Sequence, residues 1–240
     1  MIEKETTFYA ADETLSGRFI IPDHLHSSKI QDGLLFLHGA GGATKERAQP
    51  IAAKLADSYG IPSFAFDFSG HGASTGTLQA SSLRKRVRET QGALEVSGFG
   101  KTAPLCAFSM GGHIALELLK ESQPRALILF YPAVYAMAAV DIPFGNPTFS
   151  ATIRVARSWE TSDAFESLRA FKGNLLIVTG ERDEVIPQEL ISLLMETSTQ
   201  AKKKRLVVVA GAPHLLLPTL IERQHLLEEV CGLIADYFEG

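Results

Sequence analysis

The chain has 240 residues, 45% of them hydrophobic and 21% charged, with a formal net charge of −4. That balance fits a globular protein able to bury a core without staples; the mild acidity excludes a broad nucleic-acid-binding face, and two cysteines exclude a disulfide framework. Met1-Ile2-Glu3-Lys4-Glu5 lacks the apolar core of a signal peptide, and nothing approaches the roughly 20 apolar residues of a membrane span, so the expectation is a cytoplasmic protein with no membrane span.

Thr6 to Tyr9 and Leu15 to Ile21 are short apolar segments around Ala11-Asp12-Glu13, which reads as a hairpin. His24 and His26 follow in a polar loop. Two histidines at that spacing can ligate a metal, but no Cys, Asp or Glu pattern accompanies them, so they read as solvated and no metal is expected. Gly33 to Leu37 is an unbroken apolar run, the pattern of a strand buried on both faces, and it empties into His38-Gly39-Ala40-Gly41-Gly42. Thr44 can cap a helix running to Tyr59. Ile61 to Phe68 is the next strand and leads to Asp67-Phe68-Ser69-Gly70-His71-Gly72-Ala73-Ser74. Leu83 to Val96 reads as a helix whose basic run, Arg84 to Arg88, is expected to be a solvated face.

The apolar run Pro104 to Phe108 ends at Ser109, and Gly111-Gly112 opens a helical segment through Lys120. A serine between a strand end and a helix start sits on a turn so crowded that the residues two before and two after it must be small. This is the physical content of Gly-x-Ser-x-Gly, matched here with Ala107 in the first small position. The competing reading is a serine that merely caps a helix. Arg125 to Pro132 is another strand. From Ala133 to Lys172 the alternation breaks down around Pro143, Gly145, Asn146 and Pro147, while Phe144, Phe149 and Trp159 keep the stretch apolar. About 40 residues are too long for a loop and too apolar for a linker, so residues 133–172 are expected to be a small insertion over a core of residues 1–132 and 173–240. Asn174 to Thr179 resumes the strand pattern, followed by Gly180-Glu181-Arg182-Asp183, a helix over Gln188 to Glu196, a strand over Leu206 to Ala210, the turn Gly211-Ala212-Pro213-His214 and a closing helix over Pro218 to Phe238. Cys106 and Cys231 lie within apolar and amphipathic stretches and read as buried free thiols. The alternation of strand and helix predicts an α/β fold: a mostly parallel sheet of about eight strands wrapped by helices.

In such a sheet ligands bind beyond the carboxyl ends of the strands, where every unusual polar cluster falls. A serine hydroxyl needs a neighbouring imidazole to take its proton, and that imidazole needs a carboxylate to hold it. The chain order Ser109, Asp183, His214 meets this need. Asp67 is the rival acid, but its glycine-rich surroundings read as a turn framing the pocket. Backbone N–H groups of Met110 and Ala40 are the natural donors for a developing oxyanion.

Four motifs together resemble the α/β-hydrolase family: His38-Gly39-Ala40-Gly41, Asp67 to Ser74, Ala107 to Gly111, and the turns at Asp183 and His214. The acid turn, continuing to Val185-Ile186-Pro187, is similar to the family's Gly-x-x-Asp-x-x-Val-Pro, and Asp-x-x-Gly-His-Gly-x-Ser is similar to monoglyceride lipases, serine-aminopeptidase-like enzymes and bacterial feruloyl esterases. The resemblance implies turn-stabilising roles for His38 and His71. It also implies a cofactor-free serine hydrolase that cleaves a small to medium carboxylic ester through an acyl-enzyme. A thioesterase, amidase, peptidase or acyltransferase on the same residues, or a non-catalytic binding protein, are the alternatives. Phe144 and Trp159 are candidate walls of a substrate pocket.

Overall fold

The computed structural model describes residues 1–25 and 30–239. Two strands, β1 (Ile2–Ala10) and β2 (Glu13–Ile21), pair as an antiparallel hairpin. Ala11 and Asp12 both take positive φ, 49° and 67°, as a two-residue turn matched to the right-handed twist of its strands requires. Next come β3 (Leu34–Leu37), α1 (Gln49–Tyr59), β4 (Ser63–Phe66), α2 (Leu83–Ser97), β5 (Leu105–Phe108), α3 (Met110–Leu118) and β6 (Ala126–Phe130). All residues of β3, β4, β5 and β6 are buried, the outcome expected of continuous apolar runs covered on both faces.

Two short helices, α4 (Pro147–Ile153) and α5 (Ala164–Arg169), follow, with 3₁₀ turns at Met137–Ala139 and Ser158–Thr161. The chain ends with β7 (Asn174–Arg182), α6 (Gln188–Thr197), β8 (Lys203–Pro213), α7 (Leu216–Glu222) and α8 (Gln224–Phe238). The strands form one eight-stranded sheet in the order β1-β2-β4-β3-β5-β6-β7-β8, with every pair from β4 to β8 parallel. Helix α1 packs on α8, while α2 and α5 each pack on α3, giving the expected helical layers. Cys106 and Cys231 are both buried and unpaired. Among the described residues, no helix is long and apolar enough to cross a membrane.

The strand order matters most between β3 and β5. The chain steps from β3 outward to β4, then returns past β3 to β5, so successive connections leave in opposite directions. The carboxyl ends of β3 and β5 therefore flank the crevice where open α/β sheets bind ligands.

Three expectations require correction. The closing helix is two helices, because Arg223 (φ −106°, ψ 77°) leaves the helical region between α7 and α8. The last strand begins at Lys203 rather than Leu206, so Lys203, Lys204 and Arg205 lie within it. The basic run on α2 is also not simply solvated. Arg86 is fully buried, as is Glu89 one turn later, while Lys85 pairs with Glu13 and Arg84 with Asp141. Every third or fourth residue of an amphipathic helix faces inward whatever its chemistry, and Arg86 falls on that stripe.

His113, one turn into α3, is wholly buried against Tyr135, whose backbone N–H approaches Nδ1 at 3.4 Å. Burial pushes its pKa down to about 3. Below about pH 6.5 the unfolded chain therefore binds a proton that the folded chain refuses, and stability falls as the pH drops toward 3. The variant His113→Asn, which keeps an acceptor near Tyr135, should lose about 2 kcal/mol less than wild type between pH 7 and pH 5. Urea unfolding at the two pH values measures the difference.

Candidate active site

Ser109 is the one residue between β5 and α3, and its backbone is held at φ 51°, ψ −114°. A non-glycine residue in such a conformation costs on the order of 1–3 kcal/mol and persists only when its surroundings dictate it. They do so through three bonds: Ser109 N–H donates to Phe130 O at 3.0 Å, while Ser109 O accepts from Gly112 and Ala133 at 2.8 and 3.0 Å. Gly111 must be glycine, because a Cβ there would lie 2.5 Å from Leu37 O and 2.9 Å from His38 O. Ala107 carries its extra methyl without difficulty, fully buried between Leu37 and Leu129 on the neighbouring strands. The Ser109 side chain makes no capping bond to α3.

Instead Ser109 Oγ lies 3.2 Å from His214 Nε2. β7 and β8 are longer than β3 to β6, and the pairing of Arg182 with Pro213 sets Asp183 beside His214. His214 Nδ1–H donates to Asp183 Oδ2 at 2.9 Å and Oδ1 at 3.1 Å, which leaves the Nε2 lone pair facing the serine. Asp183 Oδ1 also accepts from Val185 and Ile186 N–H, both at 2.9 Å, so the fully buried carboxylate is fixed before the imidazole meets it. Sequence reasoning singled out these three residues; it passed over Tyr131. The Tyr131 ring packs edge-on to the His214 ring at 4.7 Å, and its backbone also holds a positive φ, 39°. A phenol immediately before a proline at the carboxyl end of a central strand was the available signal.

Ala40 lies in an exposed turn after β3, and Met110 is the first residue of α3. The N–H at the first helical position has no carbonyl within the helix to meet, so Met110 offers a free donor next to Ser109. The turn bearing Ala40 is pressed onto the serine: a Cβ on Gly39 would stand 3.2 Å from Phe108 O and 3.3 Å from Ser109 Cβ. Two histidines hold that turn. His38 Nε2 accepts from Phe68 N–H at 3.0 Å, so Nδ1 carries the proton and donates to Gly39 O at 2.8 Å. His71 Nε2 donates to Gly41 O at 2.8 Å, and its Nδ1 faces Arg86 Nη2 at 3.4 Å. Burial, with the Arg86 charge second, pushes both imidazoles below their ordinary pKa, so each holds the turn as a neutral ring. Arg86 itself stacks on Phe68, 4.6 Å from the ring centre, and on Phe144 at 5.2 Å.

Asp67 is committed elsewhere. Its carboxylate accepts from Lys45 N–H at 2.7 Å and from Lys45 Nζ at 2.9 Å. Phe144 packs edge-on to Phe149 at 4.9 Å, and Trp159 packs against Phe165 with the Arg157 guanidinium over its ring. Among the described residues, no three His, Cys, Asp or Glu side chains converge as a metal site; of the His24/His26 pair, His26 lies outside the described residues.

An eight-stranded sheet of this order, with Ser, His and Asp on the turns after β5, β8 and β7, defines a protein of the α/β-hydrolase type. Residues 28–160 match the family described as serine aminopeptidase, S33, and the chain belongs to that family of hydrolases. Protein bem46 of Schizosaccharomyces pombe is 28% identical over an alignment of 190 residues that covers 74% of this chain and 60% of that protein. This chain thus aligns with less than two thirds of that relative. Among solved structures, Est1E from Butyrivibrio proteoclasticus, with ferulic acid bound, superposes with a TM-score of 0.70 at 18% identity over 97% of each chain. The Pyrococcus furiosus esterase Pf2001 superposes with a TM-score of 0.71 at 17% identity, over 99% of this chain and 93% of its own. Likeness at such identities shows the shared fold.

Lys45 and Asp67 form a buried ion pair at 2.9 Å. Both side chains are nearly inaccessible, at 8% and 1% exposure. Removing one partner of a buried pair leaves an uncompensated charge, typically at a cost of about 3–5 kcal/mol. Lys45→Met, which keeps the apolar stem, should lower unfolding stability by that amount at pH 7. Chemical denaturation of the two proteins measures it.

Proposed function

We propose that the protein is a serine hydrolase that cleaves a small to medium carboxylic ester through an acyl-enzyme, without a cofactor. The observation that carries the reading is the hydrogen-bonded line from Ser109 Oγ through the His214 ring to the Asp183 carboxylate, 3.2 and 2.9 Å at its two steps. Ser109 Oγ attacks the ester carbonyl carbon as its proton passes to His214 Nε2. Asp183 stabilises the imidazolium without taking the proton itself. The carbonyl oxygen becomes an oxyanion, which the N–H groups of Ala40 and Met110 receive. When the tetrahedral centre collapses, the C–O bond breaks and the departing alkoxide takes the proton from His214. Water then repeats the sequence on the acyl-enzyme, releasing the acid and restoring the serine.

In this reading residues 133–172 form a cap on a core of residues 1–132 and 173–240. Phe144 and Trp159 furnish the apolar wall against the acyl chain. A cap of that size holds only a few carbons. The family's description names peptidases, which makes an aminoacyl amide the second substrate class to assay; thioester cleavage and acyl transfer would use the same steps with another leaving group or acceptor.

A fluorophosphonate probe should label Ser109. Ser109→Ala should lose both labelling and p-nitrophenyl acetate hydrolysis, by a factor on the order of 10⁶ in kcat, with an unchanged melting temperature. Asp183→Asn should fall by about 10⁴ as the imidazole loses its proper tautomer. A folded Ser109→Ala protein with wild-type turnover would sink the proposal. Along a series of p-nitrophenyl esters, kcat/KM should rise about fourfold per methylene, the equivalent of about 0.8 kcal/mol. The rise should stop after a few carbons, well short of twelve. Amide turnover exceeding ester turnover in the same assays would move the assignment to the second class.

A further inference from the structure

Tyr131 is the residue that follows β6, and it is buried, at 1% exposure. Phe108 of β5 and Phe130 of β6 are register partners, so Ser109 and Tyr131 leave these neighbouring strands at the same level. Both leave with positive φ, 51° and 39°. For a bulky residue that conformation is an outlier, and the following proline, Pro132, steers its predecessor toward extended backbone as well. Glycine would hold such a φ without strain. A tyrosine kept there against both preferences directs attention to what its side chain does.

The side chain meets His214. The two ring centres are 4.7 Å apart with their planes at 63°, and Phe108 and Phe130 pack on the tyrosine ring in turn, at 6.2 and 6.4 Å. The backbone that carries this ring is fastened to the nucleophile. Ser109 N–H donates to Phe130 O and Ala133 N–H donates to Ser109 O, both at 3.0 Å. Between those two bonds, Tyr131 N–H donates at 2.7 Å to Val178 O of β7, the strand that leads to Asp183. Residues 130–133 thus hold Ser109 by its peptide groups and His214 by a ring.

His214 has a use for that second contact. Asp183 fixes the imidazole at Nδ1, with its oxygens at 2.9 and 3.1 Å. A hydrogen bond at one edge of a ring leaves the ring free to pivot about it, and Nε2, beyond that edge, then swings away from Ser109. Such sites keep their geometry only where neighbouring side chains lock the rotamers.

We propose that Tyr131 is a positioning residue for His214, its ring stopping the imidazole from pivoting about the bond to Asp183. Nε2 is thereby kept in line with Ser109 Oγ, and the shape of the ring rather than its hydroxyl does this. The inference rests on the serine-hydrolase reading above. The same orientation serves twice, because Nε2 first takes a proton from the attacking oxygen and then delivers it to the departing one.

Two variants separate ring from hydroxyl: Tyr131→Phe keeps the ring, and Tyr131→Leu removes it. With p-nitrophenyl acetate, Tyr131→Leu should lose about 100-fold in kcat, the order expected when a reacting group is misplaced by about 1 Å. KM should stay close to the wild-type value, since His214 serves acylation and deacylation alike and both slow together. Tyr131→Phe should restore kcat. A purely structural role would lower the melting temperature and leave kcat per folded molecule untouched. If Tyr131→Leu does not fold, Tyr131→Met, whose flexible side chain fills irregular gaps, takes its place.

Proton NMR reads the imidazole without any turnover. The proton between His214 Nδ1 and Asp183, assigned by its absence from His214→Gln, should be sharp in wild type and Tyr131→Phe. In Tyr131→Leu it should broaden or vanish as the freed ring exchanges that proton with water. This pattern in a protein that hydrolyses no ester supports the positioning role and counts against the hydrolase reading alone. Wild-type kcat in folded Tyr131→Leu, a loss carried by KM, an equal fall in Tyr131→Phe, or a proton signal indifferent to the ring overturns the proposal.

Discussion

The backbone of Ser109 cannot relax. At φ 51°, ψ −114° it stores a conformational cost that an isolated strand-to-helix junction would release by rotating, and the sheet prevents this from both sides. On one side the Phe130 carbonyl and the Ala133 N–H at the end of β6 hold its two peptide groups. On the other, α3 starts so close to the end of β3 that Gly111 touches the Leu37 and His38 carbonyls. The position of β3 and β5 as neighbours, a consequence of the reversal in strand order, makes both restraints possible. The hydroxyl is consequently aimed by the fold, and the imidazole just after β8 needs only to arrive at the right height.

A second set of constraints acts on the turn after β3, which has no regular structure to stiffen it. Its carbonyls at Gly39 and Gly41 are each taken by a neutral histidine, and its far end is tied at Lys45 to the buried Asp67. These ties come from segments following β3 and β4 together with α2, and they hold a glycine-rich turn in one conformation. Flexible glycines supply the close approach to Ser109, while the histidines remove the freedom that glycine brings. Arg86 lies behind His71 and favours the neutral ring by its charge, so a guanidinium that never reaches the crevice helps set the turn's hydrogen-bond pattern.

The sheet was legible because its central strands are continuous apolar runs closed by glycine, and the strand-helix alternation allows few arrangements. The residues at the strand ends were legible for a different reason: Ser109, Asp183 and His214 each fall on a turn that closes a strand, at the same end of the sheet. What escaped was anything requiring knowledge of which way a helix faces. Arg86 and Glu89 sit within a charged stretch whose composition reads as solvent-facing, yet the stripe they share with Leu83, Val87 and Thr90 points inward. Tyr131 escaped because a tyrosine before a proline at a strand end is a weak signal until its packing against His214 is seen. The break at Arg223 carries no proline or glycine, and only the backbone reveals it.

The segment between β6 and β7 shows which forces hold an irregular stretch over a sheet. Ion pairs reach it from the core, Arg84 to Asp141 and Lys120 to Asp163. Both are substantially exposed, and exposed pairs contribute only about 0–1 kcal/mol each. Phe149 and Trp159, by contrast, are 7% and 8% exposed, and burial of one such side chain contributes about 1.5–3 kcal/mol. The aromatic residues therefore dominate the anchoring, and the ion pairs chiefly fix its register. Phe144 belongs to both groups: it packs on Phe149 within the segment and covers the Arg86 guanidinium in the core. Through that one ring the segment is coupled to the same buried arginine that backs His71, so the segment and the glycine-rich turn share a single anchor.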